Sequence, residues 1–186
     1  AQLEEHWAAL AGPDLVVQYD LDRHTQSRAL LNWLFVASRL KANKEYMQGL
    51  SVQMVADLVV KGHCESIRDI GVPYVTLVIA DLLGVPAADR DIFMDALEKG
   101  PTAGDTRKEG EGQDISVLIF MGQYFMQYLA ERRATPREDI MSELANATYP
   151  NGVPPELLEV VKLAVFLFAA GQDTSAKLLS NALSHC

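Results

Sequence analysis

Cysteine is scarce in this sequence. Only Cys64 and Cys186 occur, too few for a disulfide framework or a four-cysteine metal site, and neither belongs to a Cys-x-x-Cys pair. A reducing compartment is the expectation. Cationic side chains are also in short supply: 16 Lys and Arg against 25 Asp and Glu leave a net charge of -9, whereas phosphate binding draws on clustered Lys and Arg. Nucleic acid is therefore not an expected partner. A helical transcriptional regulator is disfavoured for the same reason, since it needs a basic recognition helix. No uninterrupted apolar run approaches the roughly 18 residues that span a bilayer, and AQLEEHWAAL lacks the basic region and apolar core of a secretion signal. No membrane partner and a cytoplasmic location are expected. Convincing period-two alternation, internal repeats and any segment that reads as a domain boundary are likewise missing.

What is present is a chain of 186 residues, 49% hydrophobic and 22% charged, the size and balance of one domain with a sizeable core. Helical spacing dominates, so the fold class read from the pattern is all-α. A first helix is predicted to start near Leu21 to His24, capped by Asp20 or Asp22, and to run through RALLNWLF. KANKEYMQGLSVQMVADLVVKG reads as a long amphipathic helix with Tyr46, Leu50, Met54 and Leu58 on one face and Gly62 at its end. VPYVTLVIADLLG is short and apolar nearly all round, which suits an interior helix, although its β-branched residues make it the place where strand could win. A short helix is predicted around residues 88–97. EKGPTAGDTRKEGEGQD has no periodicity and reads as a long loop. ISVLIFMGQYFMQYLAERR is a further helix, and TPREDIMSELANA is predicted to open with Thr135 as cap and Pro136 at the first helical position. The last segment reads as one helix from Pro154 or Pro155 almost to the end, roughly 43 Å long at 1.5 Å per residue.

That last helix interrupts its own apolar face. After VKLAVFLFAA come Gly171, Gln172, Asp173, Thr174 and Ser175, and buried polar groups cost free energy unless they find partners. Two readings are open. In one, two helices meet here, with Gly171 as a C-cap and Asp173 or Thr174 capping the next. In the other, a single helix is locally opened: Gly171 admits a close approach, and the Thr174 hydroxyl competes for the carbonyl of Ala170. Such openings often mark functional sites, and Asp173 beside Thr174 would then be placed to pass protons.

Ala170-Gly171-Gln172-Asp173-Thr174 resembles the A/G-G-x-D/E-T signature of the long central helix of cytochromes P450. Three more stretches follow the family's order. DLDRHTQSR resembles its D-x-P-E-H-T-x-x-R segment, with Asp22 for Pro and Arg23 for Glu, and Phe35 to Arg39 is similar to its F-T-P-R-R, with Val36 and Ala37 for Thr and Pro. VIADLLGVPAADRDIF resembles V-I-x-x-L-L-G-V-P-x-x-D-R-x-x-F almost position for position. RATPREDIMSEL is similar to R-x-x-P-x-D-D-L-L-S-x-L.

The resemblance implies the central helical part of the P450 fold, with the small β-region absent, as a single partial domain. It implies haem b as cofactor, a small apolar organic substrate, O2 and a ferredoxin-type electron donor, for monooxygenase chemistry. His24 and Arg28 would bind the haem propionates; residues four apart share a helix face, and a guanidinium grips a carboxylate with two parallel bonds. Asp173 and Thr174 would organise water and deliver protons, and Ala169, Ala170 and Gly171 would leave room above the iron. Residues 91–97 and 115–133, with the loop between them, would occupy the position of the substrate-access lid. Arg39, Lys41 and Lys44 could attract the donor, although a solvated face is the plainer use for each. Phe120, Tyr124 and Phe125 could line a pocket, although core is the commoner fate.

The family's iron-ligating cysteine loop comes well after its central helix, and the sequence stops before it. Cys186 lies roughly 18 Å along the same helix from Thr174, while an axial ligand must approach from the opposite haem face. Cys64 lacks a ligand-loop pattern. The expectation is an internal fragment with no metal ligand of its own and no turnover in isolation. The alternative is a non-catalytic helical domain that binds an apolar ligand or a partner.

Overall fold

A computed structural model describes residues 14–99 and 116–185. The predicted loop over residues 98–114 and Cys186 fall, but for Glu98 and Lys99, outside the described residues. Among the described residues every regular element is helical: α1 (Leu21–Ala29), α2 (Ala37–Lys61), α3 (Val72–Leu83), α4 (Arg90–Lys99), α5 (Ser116–Ala134), α6 (Ile140–Ala145) and α7 (Leu157–Leu183). The chain divides into two compact units, one of Ala1–Trp33 with Asp95–Leu167 and one of Leu34–Met94 with Phe168–Cys186.

In the first unit, Met121, Phe125 and Leu129 of α5, Met141 and Leu144 of α6, and Val160, Val161, Ala164 and Val165 of α7 are buried. Phe120, Tyr124 and Tyr128 stack along α5 with ring centroids 5.1 and 6.1 Å apart. Arg133 fastens α6 to the start of α7, donating to the carbonyls of Ala145 at 2.8 Å and Pro155 at 2.7 Å. The expected Thr135 cap is corrected here: α6 begins at Ile140, and the Asp139 carboxylate caps it by accepting from Ser142 N at 2.7 Å. The buried Arg132 guanidinium donates to the same carboxylate at 2.7 Å, and an Asx cap with a second, charged donor outcompetes a lone threonine. Burial raises the Asp139 pKa, but bonds from Ser142 and Arg132 outweigh it and hold it below the ordinary value. The stability this carries is present above the unfolded carboxylate pKa and is lost as pH falls through the lower folded value. Asp139→Ala is expected to cost about 1 kcal/mol at neutral pH and progressively less on acidification, read by urea unfolding at several pH values.

In the second unit, α2 begins at Ala37, four residues before the expected start at Lys41, and ends as expected at Gly62, whose φ of 77° is left-handed. Its amphipathicity is weaker than predicted. Tyr46, Leu50, Met54 and Leu58 are half-buried, and a second apolar stripe of Val52, Val55, Val59 and Val60 faces solvent. The β-branched VPYVTLVIADLL segment is helix rather than strand, entered from a π-helical turn at Ser66–Gly71 and closed by Gly84 at φ 75°. Val75, Ile79, Ala80 and Leu83 are buried with Phe93 and Phe168. Asp81 gathers Asn43 Nδ2 at 2.9 Å and Arg90 Nη2 at 2.9 Å. Gly71 is the closest approach: a Cβ there would lie 2.3 Å from Ser180 Oγ and 2.8 Å from the carbonyl of Ala176. Because the second clash is with backbone, Gly71→Ala is expected to cost about 1–3 kcal/mol, measured as a lowered urea midpoint; an unchanged midpoint would contradict this packing.

Two further boundaries differ from expectation. The predicted run through RALLNWLF stops as α-helix at Ala29 and resumes as a 3-10 turn at Asn32–Phe35. Asp20 occupies the N-cap position without a side-chain bond, so the first turn is anchored by other means. α7 begins at Leu157, after both prolines, and is unbroken to Leu183.

Candidate functional site

The first group of predicted residues lies on α1. His24 and Arg28, one turn apart, line an open cleft of about 350 Å³ together with Val16, Tyr19, Leu21 and Phe166 of α7. Both polar side chains therefore face the same space, as their spacing predicted. Among the described residues the Arg28 guanidinium has no hydrogen-bond or ion-pair partner, so its donors are available to a ligand. A neutral imidazole also keeps one N–H to give. The donor set suits a carboxylate, and the Val16, Leu21 and Phe166 side chains suit a flat apolar body beside it. Asp20 also borders the cleft and opposes an anion there. Leu21 enters α1 at a φ of 48°, a left-handed conformation that a branched side chain adopts only under constraint. On this chemistry the residues fit the propionates and ring edge of a haem.

Beside the cleft is a cluster the sequence reading missed. Lys162, 1% exposed, donates to Asp14 Oδ2 at 2.6 Å and to Glu159 Oε1 at 2.5 Å. Arg23 reaches the same two carboxylates, at 2.7 Å from Asp14 and 3.9 Å from Glu159. Its guanidinium lies 3.6 Å above the Tyr19 ring, and Lys162 Nζ lies 5.8 Å from that ring. Burial pulls the Lys162 pKa down, yet its bonds to Asp14 and Glu159 carry it above the ordinary value. Burial raises the Tyr19 pKa against the opposing pull of Lys162. The signal was a single lysine inside the apolar run VVKLAVFLFAA.

The second group lies on α7, in the other unit. The helix is continuous through Gly171, which excludes the reading of two helices joined there. Thr174 Oγ1 donates to the carbonyl of Ala170 at 2.8 Å, the competition with the helical ladder that the sequence suggested. Of the polar residues Gln172 is buried, Asp173 is half-buried and held by Lys177 at 3.0 Å, and Thr174 is exposed. Ala169 is half-buried and Ala170 exposed. Gly171 does admit a close neighbour: a Cβ there would lie 2.9 Å from Ile79 Cδ1.

Cys64 is an exposed free thiol just beyond the end of α2, and no group of three or more His, Cys, Asp or Glu suited to a metal occurs among the described residues. Phe125 is core, while Phe120 and Tyr124 are half-buried; none of the three lines the cleft. Arg39 is half-buried, and Lys41 and Lys44 are exposed on α2. No helix among the described residues is long and apolar enough to cross a membrane.

No protein-family model matches the chain. Among curated proteins it is 24% identical to cytochrome P450 109 of Bacillus spizizenii over 181 residues, covering 91% of this chain and 43% of that protein. It is 27% identical over 168 residues to the cyclomarin C epoxidase CymV of Salinispora arenicola, covering 87% and 42%. Among solved structures, the substrate-free cytochrome P450 CYP150A6 of Mycobacterium marinum superposes with a TM-score of 0.80 at 38% identity, covering 98% of this chain and 41% of that one. The LnmA cytochrome P450 hydroxylase of Streptomyces atroolivaceus gives 0.78 at 29% identity, covering 93% and 44%.

The described helices are thus a helical portion of the cytochrome P450 fold. By sequence and fold together, the chain is part of a bacterial-type cytochrome P450. It spans about two fifths of the length of the relatives it matches.

Proposed function

We propose that this chain is the cofactor-anchoring and oxygen-side part of a haem-thiolate monooxygenase. The observation that carries the reading is the cleft in which His24 and an unpartnered Arg28 sit together against Phe166. A thiolate-ligated haem supplies dioxygen activation, by which one oxygen atom enters a C–H or double bond of an organic substrate. The chain's own residues hold and serve that group. His24 and Arg28 donate to its carboxylates. Ala169, Ala170 and Gly171 keep their own stretch of α7 free of bulky side chains. Asp173 takes up a proton from solvent and hands it to Thr174, whose hydroxyl, donating to the Ala170 carbonyl at 2.8 Å, gives up its own proton in exchange.

A small apolar substrate, an acidic ferredoxin-type donor drawn to Arg39, Lys41 and Lys44, and membership of both units in one domain belong to the same reading. So does the lack of turnover by the chain alone, because Cys64 is exposed to solvent and no ligand-loop pattern flanks it.

Titration of the purified chain with haem tests the reading: a shifted Soret band and quenching of Trp33 are expected. No perturbation of either would favour a non-catalytic helical binding domain. Cys64→Ser is expected to leave the haem spectrum unchanged, and after reduction under carbon monoxide no band near about 450 nm is expected from the chain alone. A clean band would overturn the inactivity of the isolated chain.

A further inference from the structure

We infer that Lys162, Arg23, Asp14 and Glu159 are positioning residues that fix His24 and Arg28 at the cleft, setting where a carboxylated ligand is held. The inference rests on the haem reading above.

The two cations and two carboxylates close a ring in which each cation reaches both acids, at 2.6, 2.5, 2.7 and 3.9 Å. The cluster is neutral overall and joins three segments: the stretch from Asp14 to Tyr19, the first turn of α1 and the first turns of α7. Burying an ammonium as completely as Lys162 is expensive, and a well-packed apolar residue would often serve stability equally well. Fixing one arrangement against its alternatives is the better-attested use of such a cluster.

That use is needed here because α1 has little else to orient it. Ser27 is its one buried residue, and its N-cap makes no side-chain bond. An element with so little apolar burial takes its orientation from directional contacts. Arg23 immediately precedes His24, Tyr19 under Arg23 lines the cleft, and Phe166 lies one turn beyond Lys162 and lines it too. Cluster and cleft therefore share the same three segments, and neither can shift without the other.

The test compares binding of haem with binding of haem dimethyl ester, which keeps the ring and removes both carboxylates. Asp14→Asn and Lys162→Met are each expected to weaken haem about tenfold, the scale of one displaced charged hydrogen bond, while the ester binds as to wild type and helix content by circular dichroism is unchanged. Arg23→Gln is expected to behave like Asp14→Asn, and Arg23→Lys, which keeps the charge, to restore most of the preference for haem. Variants that keep the wild-type preference, or lose both ligands equally, would overturn the positioning role. A wild-type chain that binds haem and ester alike would instead overturn the haem reading itself, and this inference with it.

Discussion

Phe168→Ala is expected to destabilise the chain by about 3–5 kcal/mol. Its side chain is 0% exposed, and its ring lies 5.3 Å, centroid to centroid, from that of the equally buried Phe93. Truncation removes the transfer free energy of a full aromatic side chain and the tilted ring contact with Phe93. It also leaves a cavity that the surrounding core can fill only in part. A loss of that size is a large share of the roughly 5–15 kcal/mol that keeps a domain folded. Urea unfolding should show a much lower midpoint with an unchanged slope, and Phe168→Leu should recover more than half of the loss. A midpoint shift worth less than about 1 kcal/mol would mean that Phe168 is not the centre of this core. The residue sits two positions before Ala170, so its packing also holds the stretch of α7 that carries Gly171, Asp173 and Thr174.

Arg28→Ala is expected to weaken haem binding by about 10- to 100-fold, the equivalent of roughly 1.5–3 kcal/mol for a hydrogen bond to a charged group. The figure belongs toward its lower end because Arg28 is solvent-exposed and water competes for its donors. Arg28→Lys keeps the charge but loses the fork, and should recover only part of the affinity. His24→Ala should cost less, since an imidazole offers fewer donors to a carboxylate. Stability should hardly change in either variant: neither side chain is buried, and Arg28 makes no internal bond. An Arg28→Ala chain that binds haem as tightly as wild type would remove Arg28 from the site.

The helices were legible where apolar spacing and stop signals agree. Gly62 and Gly84 close α2 and α3 at left-handed φ, and the VIADLLG segment is helical despite its β-branched residues because burial against neighbouring helices outweighs intrinsic preference. Boundaries failed where a tertiary partner decides. Asp139 displaced Thr135 as cap through its bond with Arg132, and the run after Ala29 turned into a 3-10 segment, Asn32–Phe35, in which Leu34 is fully buried. His24 and Arg28 could be read because their pairing is local to one helix. The ion cluster could not, because Lys162 meets Asp14 across 148 positions of sequence, and no periodicity encodes such a contact. The unbroken course of α7 was one of two open readings, and it was settled by continuous helical bonding through Gly171.

The measurement closest to the centre of this account is the ratio of affinities of the wild-type chain for haem and for haem dimethyl ester. The account predicts a preference for haem of about tenfold or more, lost when His24 and Arg28 are both replaced by alanine. Equal affinity for the two ligands would contradict it, because a cleft that ignores the carboxylates has no use for the hydrogen-bond donors of His24 and Arg28 that line it.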